Sequence, residues 1–121
     1  MTTKRWALLL ALVTALATMI VVFQRAASAD PRIIVIQAHR FQFTPDKITL
    51  KKDETVTLQL STDDVMHGFL VKPLKIETVI VPGKVTQLTI TPKKAGTFSV
   101  NCDHFCGTGH SDMHMTLTVT E

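Results

Sequence analysis

From residue 30 onward, apolar and polar positions alternate with a period of two rather than 3.6, the pattern of strands half-buried against a core. Ile33 to Ile36 reads as a nearly continuous apolar first strand; Phe41 and Phe43 follow, and Thr44-Pro45-Asp46 turns the chain. Lys47 to Lys51 is a short strand with Ile48 and Leu50 on one face, and Lys52-Asp53-Glu54 is a turn. Thr55 to Leu60 alternates cleanly, with Val56, Leu58 and Leu60 inward. Ser61 to Asp64 reads as a polar loop, and His67 to Lys72 as a strand cut by Pro73. Glu77 to Val81 and Val85 to Thr91 flank the turn Pro82-Gly83-Lys84. After a turn at Thr91 to Gly96, Thr97 to Cys102 forms a strand, and Met115, Leu117 and Val119 point one way along a closing strand. Seven or eight short strands with Pro and Gly turns, and no helical stretch, predict an all-β fold, a Greek-key β-sandwich over residues 30–121. That length suffices for one core between two sheets.

The first 29 residues break this pattern. Lys4-Arg5 precedes an apolar run from Trp6 to Phe23, and Ala27-Ser28-Ala29 makes a small-x-small cleavage site before Asp30. This reads as a signal peptide. The competing reading is an uncleaved anchor helix through residues 6–23, a run barely long enough to cross a bilayer. Both place the domain of residues 30–121 outside the cytoplasm, on the periplasmic side. The leader also distorts the charge balance. Of 13 Lys and Arg, three (Lys4, Arg5, Arg25) lie in it and none of the 10 acids does, so the remainder carries ten of each sign. A neutral domain with no basic stripe excludes a nucleic-acid surface.

The chemistry concentrates in Cys102-Asp103-His104-Phe105-Cys106-Gly107-Thr108-Gly109-His110-Ser111-Asp112-Met113, spaced C-x3-C-x3-H-x2-M. A second imidazole, His67, stands upstream in Asp64-Val65-Met66-His67-Gly68-Phe69. Soft sulfur with imidazole is the ligand set that copper prefers. Two cysteines in an exported domain can instead form a disulfide, and Cys102 bonded to Cys106 describes an oxidised, metal-free alternative. One thiolate, two imidazoles and a weak thioether suffice for a single copper. The second cysteine extends this: two thiolates on a tight loop can bridge two ions, each taking one imidazole, His67 or His110. Met113 would complete one ion, and a backbone carbonyl in the loop the other. Gly107 and Gly109 allow the curvature that turns His110 back toward the sulfurs. Phe69 and Phe105 are expected to keep the site dry. His39 and His114 read as surface residues.

The ligand spacing, the Asp-x-x-His-Gly-Phe segment, the Cys-Gly-x-Gly-His run, Phe41-x-Phe43-x-Pro45 and Val81-Pro82-Gly83 together resemble the CuA domain of cytochrome c oxidase subunit II. Nitrous-oxide reductase has a similar domain. The resemblance spans residues 32 to 121. It implies a cupredoxin fold and a binuclear, mixed-valence copper centre that passes single electrons. By this resemblance Cys102 and Cys106 bridge two coppers, His67 and His110 are terminal ligands, Met113 is a weak ligand to one copper, and the backbone carbonyl of His104 is a weak ligand to the other. The family often carries Glu at that last position, an exchange that a carbonyl ligand tolerates. A c-type cytochrome or an oxidase subunit is the implied redox partner.

Two other functions fit the same donors. A periplasmic copper chaperone or resistance protein would use them for trafficking, with Met66, His104, His114 and Met115 as extra donors on the exposed side of the loop. A structural zinc site is open to Cys2His2. The full donor set, with its thioether and carbonyl, favours electron transfer.

Overall fold

Alternating β-formers and turn residues fold into nine strands in the computed structural model, which describes residues 30–121 and Ala7. The signal or anchor expected over residues 1–29 lies outside the described residues. Among the described residues no helix is long and apolar enough to cross a membrane. One sheet has the order β2 (Gln42–Thr44), β1 (Arg32–His39), β4 (Val56–Thr62), β7 (Thr86–Ile90). The other has the order β3 (Lys47–Lys51), β9 (His114–Thr120), β8 (Gly96–Asn101), β5 (His67–Val71), β6 (Ile76–Ile80).

Both sheets are mixed. β1 runs parallel to β4, from Arg32 opposite Val56 to Ala38 opposite Thr62. β3 runs parallel to β9, from Lys47 opposite Thr116 to Lys51 opposite Thr120. Parallel neighbours cannot be joined by a tight turn, so the chain crosses between sheets instead. The turn after β6, where the Lys84 N–H donates to the Val81 carbonyl at 3.3 Å, makes one such crossing.

The period-two reading holds where one face is buried. Val56, Leu58 and Leu60 of β4 meet Leu50, Val71, Ile80 and Leu117 of the other sheet in one cluster, all essentially without solvent contact. Cys102, Cys106, Met113 and Met115 belong to that same cluster. Three of the candidate donors, Cys102, Cys106 and Met113, are therefore part of the core, not appended to it.

The apolar run Ile33 to Ile36 is a strand as expected, with Ile36 inside and Val35 61% exposed. Pleating sends successive side chains to opposite faces, whatever their polarity. Two expectations are corrected. β4 continues through Ser61 and Thr62, which were expected in a loop. Thr62 is buried because its hydroxyl donates to the Val65 carbonyl at 3.1 Å and to Asp64 at 2.9 Å. Among the described residues the strands number nine, not seven or eight, and two short 3-10 turns, Lys72–Leu74 and His110–Asp112, interrupt the all-strand pattern.

These burials set an expected contrast in stability. Leu58→Ala empties a fully enclosed position and is expected to cost about 2–5 kcal/mol, whereas Val35→Ala on the outer face should stay within about 0.5 kcal/mol. Urea unfolding of the two variants measures the difference.

Candidate metal centre

Strand directions bring the donors together. β8 pairs antiparallel with β9, so the end of β8 and the start of β9 lie side by side, Asn101 opposite His114. β5 is antiparallel to β8, with Leu70 opposite Asn101, so the start of β5 reaches the same end of the sheet. Cys102 leaves β8 there, and His67 opens β5 there. The loop between β8 and β9 is closed at its neck by the Cys102 N–H donating to the Met113 carbonyl at 3.1 Å.

Inside the loop the chain turns twice in quick succession. The His110 N–H bonds the Gly107 carbonyl at 3.2 Å, the Asp112 N–H the Gly109 carbonyl at 3.1 Å, and the Met113 N–H the His110 carbonyl at 3.3 Å. Gly107 sits at φ 141°, a conformation that side chains rarely adopt, with the Phe41 ring 2.9 Å from where a Cβ would lie. This is the curvature that swings His110 toward the sulfurs. Gly68 is needed for a different reason: a Cβ there would stand 2.7 Å from the backbone nitrogens of Asp103 and His104. Its absence lets the loop lie directly on β5.

The result is a chain of soft atoms. The Sγ atoms of Cys102 and Cys106 are 3.7 Å apart, and both cysteines are free and buried. His67 Nδ1 lies 3.9 Å from Cys102 Sγ. His110 Nδ1 lies 3.7 Å and Met113 Sδ 3.8 Å from Cys106 Sγ. The His104 carbonyl is 3.1 Å from Cys102 Sγ, while the His104 side chain is exposed. His67, Cys102 and Cys106 alone present three metal-ligating atoms within 4.8 Å of one another. All six residues singled out in the sequence thus converge, His104 through its backbone.

Groups outside the loop hold this set in place. Asp64 Oδ1 accepts a hydrogen bond from His67 Nε2 at 2.7 Å. With Nε2 carrying the proton, Nδ1 is left as the lone-pair nitrogen facing Cys102. Asp64 is itself held by the N–H groups of Val65 at 2.6 Å and Arg40 at 2.7 Å, and by the Thr62 hydroxyl. Burial pushes the Asp64 carboxyl up, but the hydrogen bonds from His67, Val65, Arg40 and Thr62 outweigh it and hold the group well below its ordinary value of 3.8. Arg40 Nε donates to the Cys106 carbonyl at 2.8 Å, bracing the loop from the end of β1. The Gly68 N–H points at Cys102 Sγ at 3.3 Å. For the thiol of Cys106, burial, then the neighbouring Cys102 and then Asp64 raise the pKa. Metal binding through Cys106 must therefore displace a proton, as thiolate ligation requires.

Asp64 and Arg40 were not assigned roles from the sequence. Asp64 carried a signal, three residues before His67; Arg40 carried none, because its partner is 66 residues away. Two expectations about the rim are corrected. Phe69 is buried, but Phe105 is 74% exposed and stands at the rim; its ring faces that of His110, centroids 5.7 Å apart. Met115, expected on the exposed side, is buried on the inward face of β9.

The donor set fits copper. Two free, buried thiols 3.7 Å apart, with an imidazole nitrogen near each, offer the soft sulfur and nitrogen ligands that copper prefers.

A model of the cupredoxin-like domain family matches residues 12–119. Cytochrome c oxidase subunit 2 of Thermus thermophilus is 30% identical over 109 residues, covering 81% of this chain and 81% of that protein. A second protein of the same name and organism is also 30% identical over 109 residues, covering 81% of this chain and 65% of its own length. Among solved structures, the periplasmic domain of subunit II of cytochrome oxidase of Bradyrhizobium japonicum aligns with a TM-score of 0.68 at 16% identity, covering 78% of this chain and 87% of that one. A chain of a heme-copper terminal oxidase dimer aligns with a TM-score of 0.66 at 21% identity, covering 97% and 99%.

The Asp64 network has a signature in pH. A carboxylate whose folded pKa is depressed adds stability that is complete above its unfolded value. That stability is lost as pH falls below the ordinary 3.8 toward the folded value. Urea unfolding of the metal-free, reduced chain between pH 5 and about pH 2 is expected to show this decline. Asp64→Asn should lower stability at pH 5 and flatten the acid limb; an unchanged acid limb would show that Asp64 is not the group responsible.

Proposed function

Since the chain belongs to the cupredoxin-like domain family and is a homologue of cytochrome c oxidase subunit 2, we propose that it carries a binuclear CuA-type copper centre used for one-electron transfer. The observation that carries this reading is the 3.7 Å pair of free, buried thiols with an imidazole nitrogen beside each. Cys102 and Cys106 would bridge, His67 and His110 would be terminal ligands, and Met113 and the His104 carbonyl would be weak donors. When bound, such a copper pair supplies a reversible one-electron redox couple.

The chain's own residues define what that couple can do. With a copper pair bound, the six donors would account for its coordination positions and leave none open to a substrate; such a centre would relay electrons rather than perform chemistry on a bound molecule. Burial of both thiols keeps water from the sulfurs. The Asp64–His67 bond and the Arg40 bond to the Cys106 carbonyl fix the donors, so little need move when an electron arrives or leaves. The exposed Phe105 ring faces the ring of His110, one proposed ligand, with centroids 5.7 Å apart.

The domain works outside the cytoplasm. Residues 1–29 act as its signal peptide or membrane anchor, and residues 30–121 form the Greek-key copper domain. Its redox partner is a c-type cytochrome or another subunit of an oxidase.

Metal analysis with spectroscopy tests the reading. Two coppers per chain, an intense visible thiolate band and electron-spin hyperfine splitting shared by two copper nuclei are expected. One loosely held, colourless cuprous ion would identify copper trafficking instead, and colourless bound zinc a structural site. Cys102→Ser is expected to leave at most a single-copper spectrum; an unaltered spectrum in that variant would rule out bridging by this thiol.

A further inference from the structure

Beside the donor loop lies an open recess of about 210 Å³ lined by Arg40, Val65, Met66, Phe105, Cys106 and Gly107. Arg40 is the one charged side chain in this lining. Its Nε is committed to the Cys106 carbonyl. Among the described residues, its guanidinium has no carboxylate partner: the four ion pairs there involve Arg32, Lys52, His67 and Lys93. Asp64 is close by, but it takes the backbone N–H of Arg40, and its oxygens are occupied by Thr62, Val65 and His67 as well.

A planar guanidinium pinned at Nε has a set orientation and still presents its terminal N–H groups, the geometry that pairs with a carboxylate. The other walls are apolar, and two of them stand out from the surface, Phe105 strongly and Met66 at 36% exposure. Cys106 is a proposed metal ligand, and Phe105 faces another, His110. Whatever fills the recess is therefore next to the centre. Residues 30–121 carry ten charges of each sign, so net charge does not steer a partner here, and a single unpaired cation on an apolar rim sets the orientation of approach.

We propose that this recess is where the redox partner docks, by inserting a carboxylate carried on an apolar surface: Arg40 pairs with the carboxylate, and Phe105, Met66 and Val65 pack around it. The proposal rests on the electron-transfer reading above and adds the chemistry of the partner's contact face.

The test uses the full chain, copper-loaded and reduced, with two one-electron acceptors in which cobalt(III) becomes cobalt(II). Tris(oxalato)cobaltate(III) is an anion rimmed by carboxylate oxygens, and tris(phenanthroline)cobalt(III) is a cation with an apolar rim. The ratio of the anion's rate to the cation's is expected to fall about tenfold in Arg40→Gln. Arg40→Lys keeps the charge and should keep most of the ratio. Benzoate should slow the anionic acceptor alone, and should shift the Phe105 and Met66 amide resonances of labelled protein in a saturable way. An unchanged ratio in Arg40→Gln would overturn the proposal. So would an equal loss in Arg40→Lys, which would show that Arg40 acts only by holding the Cys106 carbonyl. Saturable benzoate binding that leaves the anionic acceptor's rate untouched would make the recess a small-carboxylate site and equally overturn partner docking there. The benzoate titration can also be run on the reduced, metal-free chain, so a failure of the two-copper reading is separable from a failure of the recess.

Discussion

Everything in this molecule turns on one closure: the hydrogen bond from the Cys102 N–H to the Met113 carbonyl, which brings both ends of the donor loop to one end of one sheet. With that neck closed, the segment between must return on itself, and the 3-10 turn at His110–Asp112 and the positive φ of Gly107 are how it does so. These bends aim Cys106, His110 and Met113 at the same small volume that Cys102 already faces. Converging thiols carry a desolvation cost, visible in the raised Cys106 pKa. The two-sheet core behind the loop opposes that cost by burying Met113, Met115 and both cysteines with the β4 and β9 side chains.

The second half of the donor set comes from elsewhere in the chain. His67 is contributed by β5, and it is useful only because Gly68 lets the loop lie against that strand. Asp64 then settles which imidazole nitrogen is free. It does so from a position where four donors converge on a single carboxylate. Arg40 ties the end of β1 to the loop from the opposite side. The donors are thus held by both sheets and the connections between them, and the loop is not left to choose its own shape. A preorganised donor set of this kind suits a relay, because reorganisation on electron exchange is what slows such transfer.

Burial and exposure are divided sharply around the centre. Phe69 and Met115 lie inside, while Phe105 stands in solvent. The position of an aromatic ring that projects beside an imidazole donor suits contact with another molecule. The same rim holds Met66 and the guanidinium of Arg40. The lining of that recess is therefore apolar with one positive point, although the domain as a whole is electrically balanced.

Much of this was legible in the residues alone. The period-two runs located β3, β4 and β9 closely, because those strands bury one face and alternation records that directly. The spacing from Cys102 to Met113, with His67 upstream, was enough to nominate five of the six proposed donors, since soft ligands crowded into one loop have few other uses; the His104 carbonyl was implied by the resemblance to the CuA domain. Tertiary structure alone decided the rest. That β1 lies parallel to β4, and β3 to β9, depends on which strands meet across the core, and alternation within a strand holds no information on its neighbour. Which residues of the apolar run Ile33 to Ile36 face outward, Ile33 and Val35, was set by the pleat, which assigns faces by parity and not by polarity. The brace from Arg40 to Cys106 could not be foreseen, because nothing local marks a guanidinium that will meet a carbonyl across the fold. Ligand identity is a property of side-chain chemistry and can be read from the chain; ligand orientation is set by distant backbone contacts, and those exist only once the sheets have packed.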